Sequence, residues 1–343
     1  MGFSFLWRRH NSTVLKDSLM WKIFAFINKR LVIAIPIMMV AGFIYGLLFS
    51  STGLKGLIIP FTFLMVYPMM VTLRIRSVFQ GGDSKAQLIA QVLNFGIVPF
   101  LAYGLGRVFF AEQPYMALGL LLAGLVPTSG MTISWTGFAK GNMAAAVKMT
   151  VIGLTLGSIA TPLYVKALMG ASIEVNILSV MRQIFFIVFL PMLFGYLTQR
   201  FLVKRYGQEK FQKVLAPKFP GLSTIGVLGI VFIAMALKSE TIAATPQLLI
   251  TILIPLLLMY GVNYTISTFT GKALLSRGDA IAMVYGSVMR NLSIALAIAI
   301  NAFGEQGSEA ALVVALAYII QVQSAAWYVN FTNRIFGNAE ATA

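Results

Sequence analysis

Cysteine is absent from the 343 residues, and histidine occurs once, at His10. Without a thiol there is no disulfide framework, no thiolate metal site and no cysteine nucleophile. Acids are scarce as well: ten Asp and Glu stand against 26 Lys and Arg, for a net charge of +16. Every one of the ten falls in a loop, a tail or the end turn of an apolar run, which leaves no carboxylate for an obvious proton relay through the middle of those runs. No Walker-type phosphate loop occurs. An enzyme is therefore not expected, and no cofactor or metal is implied. Charge of either sign is itself rare, at 10% of residues against 59% hydrophobic, where a soluble domain carries about a quarter charged. That balance describes an all-α polytopic membrane protein.

Apolar runs of roughly 20 residues, the length that crosses a bilayer's hydrocarbon, are predicted near 31–50, 54–74, 88–110, 115–139, 143–167, 177–199, 221–238, 247–271, 279–302 and 309–332. With ten spans and a cytoplasmic N-terminus, most Lys and Arg collect on the inner side, including Lys140, Lys204, Lys272 and Arg334. This is the positive-inside pattern, and it places both termini in the cytoplasm of a cell-membrane protein. The basic excess thus reports topology and a lipid bilayer as partner; nucleic acid is not expected. Assembly as a homo-oligomer is left open. Leu15, Leu19, Ile23 and Ile27 recur every fourth residue, so residues 1–30 are predicted to form an interfacial cytoplasmic segment. Residues 31–343 then form one membrane domain, with a first repeat at 31–170, a second at 177–333 and an interfacial linking segment at 201–219. Five spans in each repeat give the two opposite orientations.

Asn94-Phe95 in the third span is echoed by Asn263-Tyr264 in the eighth, and the fourth and ninth spans are interrupted at VPTSGMT (126–132) and YGSVMRN (285–291). Paired interruptions in corresponding members of two repeats point to a transporter's binding site. Pro127 lacks an N–H and its ring crowds the preceding turn, and Gly130 adds backbone freedom. The opened helix brings Thr128, Ser129, Thr132 and Ser134 with it; a proline kink with hydroxyl back-bonding is the plain alternative. In the ninth span Gly286 and Ser287 precede Arg290, and Asn291 follows. Arginine at a bilayer centre costs about 2.5–3.5 kcal/mol, so something must compensate it: a bound anion, or carbonyls exposed at the fourth-span break. Arg290, Asn291, Thr128, Ser129, Ser134, Ser287 and Asn94 are the candidate substrate-binding residues. Lys148 lies near enough to a span end for its stem to reach the interface. Gln91, Gln321 and Gln323 are expected to make helix-to-helix hydrogen bonds.

LMVYPMMVTLR (64–74), LNFGIVP (93–99), LVPTSGMTISWTGFAKGN (125–142) and MRNLSIALAIAI (289–300) resemble the bile acid:sodium symporter superfamily, which includes the arsenite efflux permeases. The resemblance covers essentially all ten spans and is nearer the arsenite branch. It implies two inverted five-helix repeats, divided between a panel and a core domain, with discontinuous helices 4 and 9 crossing at the substrate region. It implies a secondary transporter moving a small oxyanion, an arsenite-like species or an organic anion by alternating access. Sodium-coupled members carry a glutamate before a Met-Gln-Asn triplet; here Gly286 stands about where that acid would be and the triplet reads Met289-Arg290-Asn291. Arsenite permeases carry a cysteine where this chain has Thr128, and Glu-Val-Pro where it has Gln321-Val322-Gln323. Thiolate capture of arsenic is thereby excluded, and a fixed cation stands in what looks like a sodium site.

Overall fold

The computed structural model describes residues 31–73 and 83–338. The predicted surface helix within 1–30, with His10, and the basic residues Arg74 and Arg76 lie outside the described residues. What is described is helical, with one isolated bridge in place of any sheet. In order the helices are α1 (Leu31–Leu48), α2 (Thr52–Val71), α3 (Ser84–Phe109), α4 (Pro114–Leu125), α5 (Gly130–Phe138) and α6 (Met143–Met169). They continue as α7 (Ile177–Tyr206), α8 (Gln208–Leu237), α9 (Gln247–Leu274), α10 (Arg277–Val288), α11 (Leu292–Phe303) and α12 (Gly307–Phe336). Seven of them, α2, α3, α6, α7, α8, α9 and α12, are long and apolar enough to cross a membrane, while α1, α4 and α11 are shorter apolar helices. Large apolar side chains such as Leu88, Val108, Ile59 and Phe269 are exposed, as a surface bathed in hydrocarbon requires. The chain is a multi-pass membrane protein.

Proline shapes several of the long helices. In α3 and α7 a wide π turn, at Val92–Ile97 and Phe185–Phe189, sits just before Pro99 and Pro191. The missing N–H and the ring's bulk are absorbed there without ending the helix. The linking segment is helical over most of its length: α7 runs on to Tyr206, Gly207 turns the chain at φ 85°, and Gln208 starts the helical stretch that becomes α8.

Packing sorts the helices into two groups. α8 lies against α1 and α2, and α7 lies against α2. The second group is built around α4, whose residues Met116 to Leu125 are all buried. α4 packs on α3 and α12, α10 on α3, α6 and α9, α5 on α6 and α10, and α11 on α12. Small residues set these approaches, as expected where lipid offers no hydrophobic drive between helices: a Cβ on Gly119 would lie 2.6 Å from Ala310 O, and one on Gly226 would lie 2.3 Å from Met65 N. The groups are tied at one end, where Lys55 pairs with Glu305, Lys238 meets Glu309 at 3.2 Å, and Asn301 Nδ2 donates to Thr62 Oγ1 at 3.4 Å. Lys55 holds the Glu305 carboxyl below its ordinary pKa, mainly by hydrogen bonding.

Lys148 corrects the sequence reading. Its stem does not reach an interface; the residue is 3% exposed and its ammonium pairs with Asp83, at the head of α3. Gln87 Nε2 donates to the same carboxylate at 3.0 Å and to Ala145 O at 3.0 Å. An acid at a helix start, which the sequence shows as a loop residue, is here folded inward against α6.

Candidate functional site: the crossing of two opened helices

α4 stops at Leu125, and Val126 turns to extended backbone with φ −94° and ψ 91°. Thr128 then takes φ 63°, a left-handed conformation uncommon for a β-branched residue and costing on the order of 1–3 kcal/mol. Its Oγ1 donates to Pro127 O at 2.7 Å and to Thr150 O on α6 at 3.2 Å. Gly153 leaves room for it, since a Cβ there would lie 2.6 Å from Thr128 Oγ1. Gly130, expected to supply the backbone freedom, is instead the first residue of α5. Ser129 caps that helix: its Oγ accepts from Met131 N–H at 3.2 Å, and Thr132 Oγ1 accepts from Ser129 N–H at 3.2 Å. This is a reciprocal cap for donors that α5 leaves unpaired at its start.

The second opening follows α10. Met289 is extended at φ −75° and ψ 104°, and Asn291 caps α11 by accepting from Ile294 N–H at 3.2 Å. The two openings touch. Pro127 and Arg290 form an antiparallel bridge, and Asn291 N–H donates to Val126 O at 2.8 Å. The carbonyls that end α10 are taken up by side chains, Gly286 O by Asn94 Nδ2 at 3.0 Å and Ser287 O by Asn263 Nδ2 at 3.1 Å. Ser287 Oγ donates in turn to Asn263 Oδ1 at 3.0 Å. Backbone that would be untenable in lipid is thus satisfied inside protein.

Arg290 is the exception. It is 2% exposed, and Nε, Nη1 and Nη2 have no hydrogen-bond partner among the described residues; Asn291 Nδ2 has none either. The alternative in which the guanidinium binds carbonyls of the fourth-span break is therefore not the arrangement found. Nor does Asp279 reach it, since Asp279 Oδ1 accepts from Asn142 Nδ2 at 2.7 Å. Around the crossing these donors of Arg290 and Asn291 are left over together with one acceptor, Asn94 Oδ1. The N-termini of α5 and α11, the positive ends of their dipoles, start there too. Such a place suits an anion.

Arg290, Asn291, Thr128, Ser129, Ser287 and Asn94 are brought together around this crossing by the bonds above. Ser134 is not; it lies on an exposed face of α5 and donates back to Gly130 O at 3.4 Å. Besides Asn263 and Thr132, Gln321 and Tyr260 hold the site from outside the candidate set. Gln321, midway along α12, accepts from Arg290 N–H at 2.8 Å and donates to Arg290 O at 3.1 Å, and Tyr260 O–H donates to Gln321 Oε1 at 2.8 Å. The signal for Gln321 was its polarity within an apolar run; nothing in the sequence paired it with Arg290. A cavity of about 560 Å³ lies elsewhere, on the seam between the groups, lined by apolar residues including Met39, Phe43, Met235 and Leu316.

The chain is similar in sequence to several known proteins. An arsenical-resistance protein Acr3 of Alkaliphilus metalliredigens is 25% identical over 286 residues, 79% of this chain and 79% of its own. A second Acr3, of Corynebacterium glutamicum, is 20% identical over 80% of this chain and 82% of its own. An uncharacterized sodium-dependent transporter of Bacillus subtilis, YocS, is 27% identical over 81% of this chain and 84% of its own. These names indicate a secondary transporter rather than an enzyme. Residues 59–245, more than half of the chain, match the Sodium Bile acid symporter family, and the protein belongs to that family.

Proposed function

We propose that the protein is a secondary carrier of a small anion, working by alternating access, with its cargo bound where the α4–α5 and α10–α11 openings cross. The ten spans form two inverted five-helix repeats, 31–170 and 177–333, with the interfacial segment 201–219 following the sixth span and both termini in the cytoplasm. A single observation carries the reading: a guanidinium sealed from solvent with all its donors unused among the described residues. Arginine at that depth is tolerable only with compensation, and a small oxyanion or organic anion supplies it through the planar fork that guanidinium presents to carboxylate-like groups. Asn291 Nδ2 adds a further donor; Thr128 and Ser129 shape the backbone beside it. The names of two relatives favour an arsenite-like species as one member of the substrate class. With no thiol in the chain, such cargo would be held by amides and hydroxyls.

A second reading, sodium-coupled uptake of an organic anion, is favoured by the name of the sodium-dependent relative. Against it, the fixed cation of Arg290 occupies the opening in which a mobile cation would have to bind, and like charges a few ångströms apart in low dielectric repel strongly. The test is uptake into proteoliposomes of nitrate, acetate, arsenite and antimonite, with and without a sodium gradient. The expected result is uptake indifferent to sodium and lost in Arg290→Gln. Sodium-dependent uptake, or wild-type rates in Arg290→Gln and Arg290→Ala, would overturn the proposal.

A further inference from the structure

Gln321 is fully buried and makes three hydrogen bonds with its terminal amide, two of them to the backbone of one residue, Arg290. Arg290 sits between two helices, so its N–H and C=O both lack the partners that a helix would provide. To satisfy both from one side chain requires an acceptor and a donor side by side, which a carboxamide has and a carboxylate lacks. Arg290 fixes which way round the amide sits: its N–H can only donate, so Oε1 faces it, its C=O can only accept, so Nε2 faces that, and Tyr260 O–H then donates to Oε1.

We propose that Gln321 is the positioning and specificity-determining residue of this site, holding the unwound backbone of Arg290 with a neutral group so that the guanidinium keeps its charge and donors for an anion. The inference rests on the anion-carrier reading. An acid at 321 would do two things at once. One carboxylate oxygen would face Arg290 O with no proton between them, loosening the backbone. Its negative charge would also neutralise the guanidinium from within, so that the site would hold no further anion. Protonated, the same acid offers an O–H and a C=O and imitates the amide. The other ionisable groups around the clamp are phenols, Tyr260 and Tyr264 on α9 and Tyr318 on α12, the last bonded to Ser293 at 2.6 Å. Their ordinary pKa of about 10 lies above the range in which a glutamate titrates.

The experiment uses the full chain in lipid nanodiscs and in proteoliposomes. Hydrogen exchange, corrected for its intrinsic pH dependence, is followed at the Arg290 and Asn291 amides. Gln321→Met, similar in volume and without the amide, is expected to speed exchange at Arg290 by at least about tenfold, the loss of a buried bond of ordinary strength, while the rest of α12 stays protected. Uptake of nitrate, whose charge is constant from pH 5 to pH 8, is expected to fall in Gln321→Glu by at least about tenfold at pH 8 and to stay low at pH 5, because a glutamate ordinarily titrates near about 4.3 and a guanidinium beside it favours the ionised form. The wild type changes little over the same interval. Unchanged exchange in Gln321→Met, or wild-type uptake by Gln321→Glu at pH 8, overturns the inference. If Arg290→Gln transports like wild type, the carrier site is elsewhere and the specificity role falls with it, while the exchange data still decide whether Gln321 clamps the break.

Discussion

Replacing Asp83 by asparagine tests the polar interior most directly. The Asp83 and Lys148 side chains are 5% and 4% exposed, and Gln87 adds a bond to the same carboxylate. Asparagine keeps the shape but leaves the Lys148 ammonium without its carboxylate. Removing one member of a buried pair costs about 3–5 kcal/mol, because the other charge remains in low dielectric; an exposed pair contributes about 0–1 kcal/mol. At the few degrees per kcal/mol that large domains show, the midpoint of thermal unfolding should fall on the order of 5–10 °C. Fluorescence-detected size exclusion of heated detergent samples reads that midpoint. The double variant Asp83→Asn/Lys148→Met, which removes both charges, should recover most of the loss, since neutral replacements of buried pairs are often harmless. An Asp83→Asn midpoint within about 1 °C of wild type, the value for an exposed pair, would refute the burial argument.

Two further outcomes follow from the geometry. A Cβ on Gly157 would lie 2.5 Å from Pro127 Cδ, an atom of a rigid ring, so Gly157→Ala should cost about 1–3 kcal/mol and slow uptake. Gly104→Ala, whose Cβ meets nothing within 4 Å, should be neutral or stabilising in the same melt. Arg277 ties three segments together, donating to Lys140 O at 2.9 Å, Gly337 O at 2.7 Å and Asn333 Oδ1 at 2.8 Å. Arg277→Gln should cost on the order of 2–3 kcal/mol and speed hydrogen exchange near 139–142 and 333–337 before any change at the crossing.

The places where helices open were legible because their causes are local. Pro127 cannot continue a helix, and Gly286-Ser287 before a buried arginine marks backbone that has other partners. Arg290 stood out for the same reason, as a charge whose cost is a property of its depth alone. What the sequence hid depends on the third dimension. Asp83 and Lys148 are 65 residues apart and share no pattern, so the acid read as a loop residue and the lysine as a surface one. Ser134 groups with the other hydroxyls in the sequence because it follows them closely after the break at Pro127. The non-helical residues at 126–129 reset the helical phase, and the face of α5 it occupies is unrelated to the periodicity before the break. Thr128 carries the left-handed turn without any glycine signal, because its hydroxyl bonds and the hollow at Gly153 hold it there. Gln321 could be recognised as polar in an apolar run, but its partner is a backbone, and backbone partners leave no mark in side-chain spelling.

The two ion pairs between the helix groups are wetter than the Asp83–Lys148 pair, which lies within one group. Lys55 and Glu305 are 43% and 84% exposed, Lys238 and Glu309 are 16% and 34%, whereas Asp83 and Lys148 are nearly dry. Where water stands ready to take either partner, parting the charges changes the free energy little; where it does not, parting them is prohibitive. That dry pair rivets one body from within, while the ion pairs along the seam only button the two together. Under the proposed alternating access, the rim pairs would be the ones to come undone, leaving intact the frame that keeps Arg290 in place.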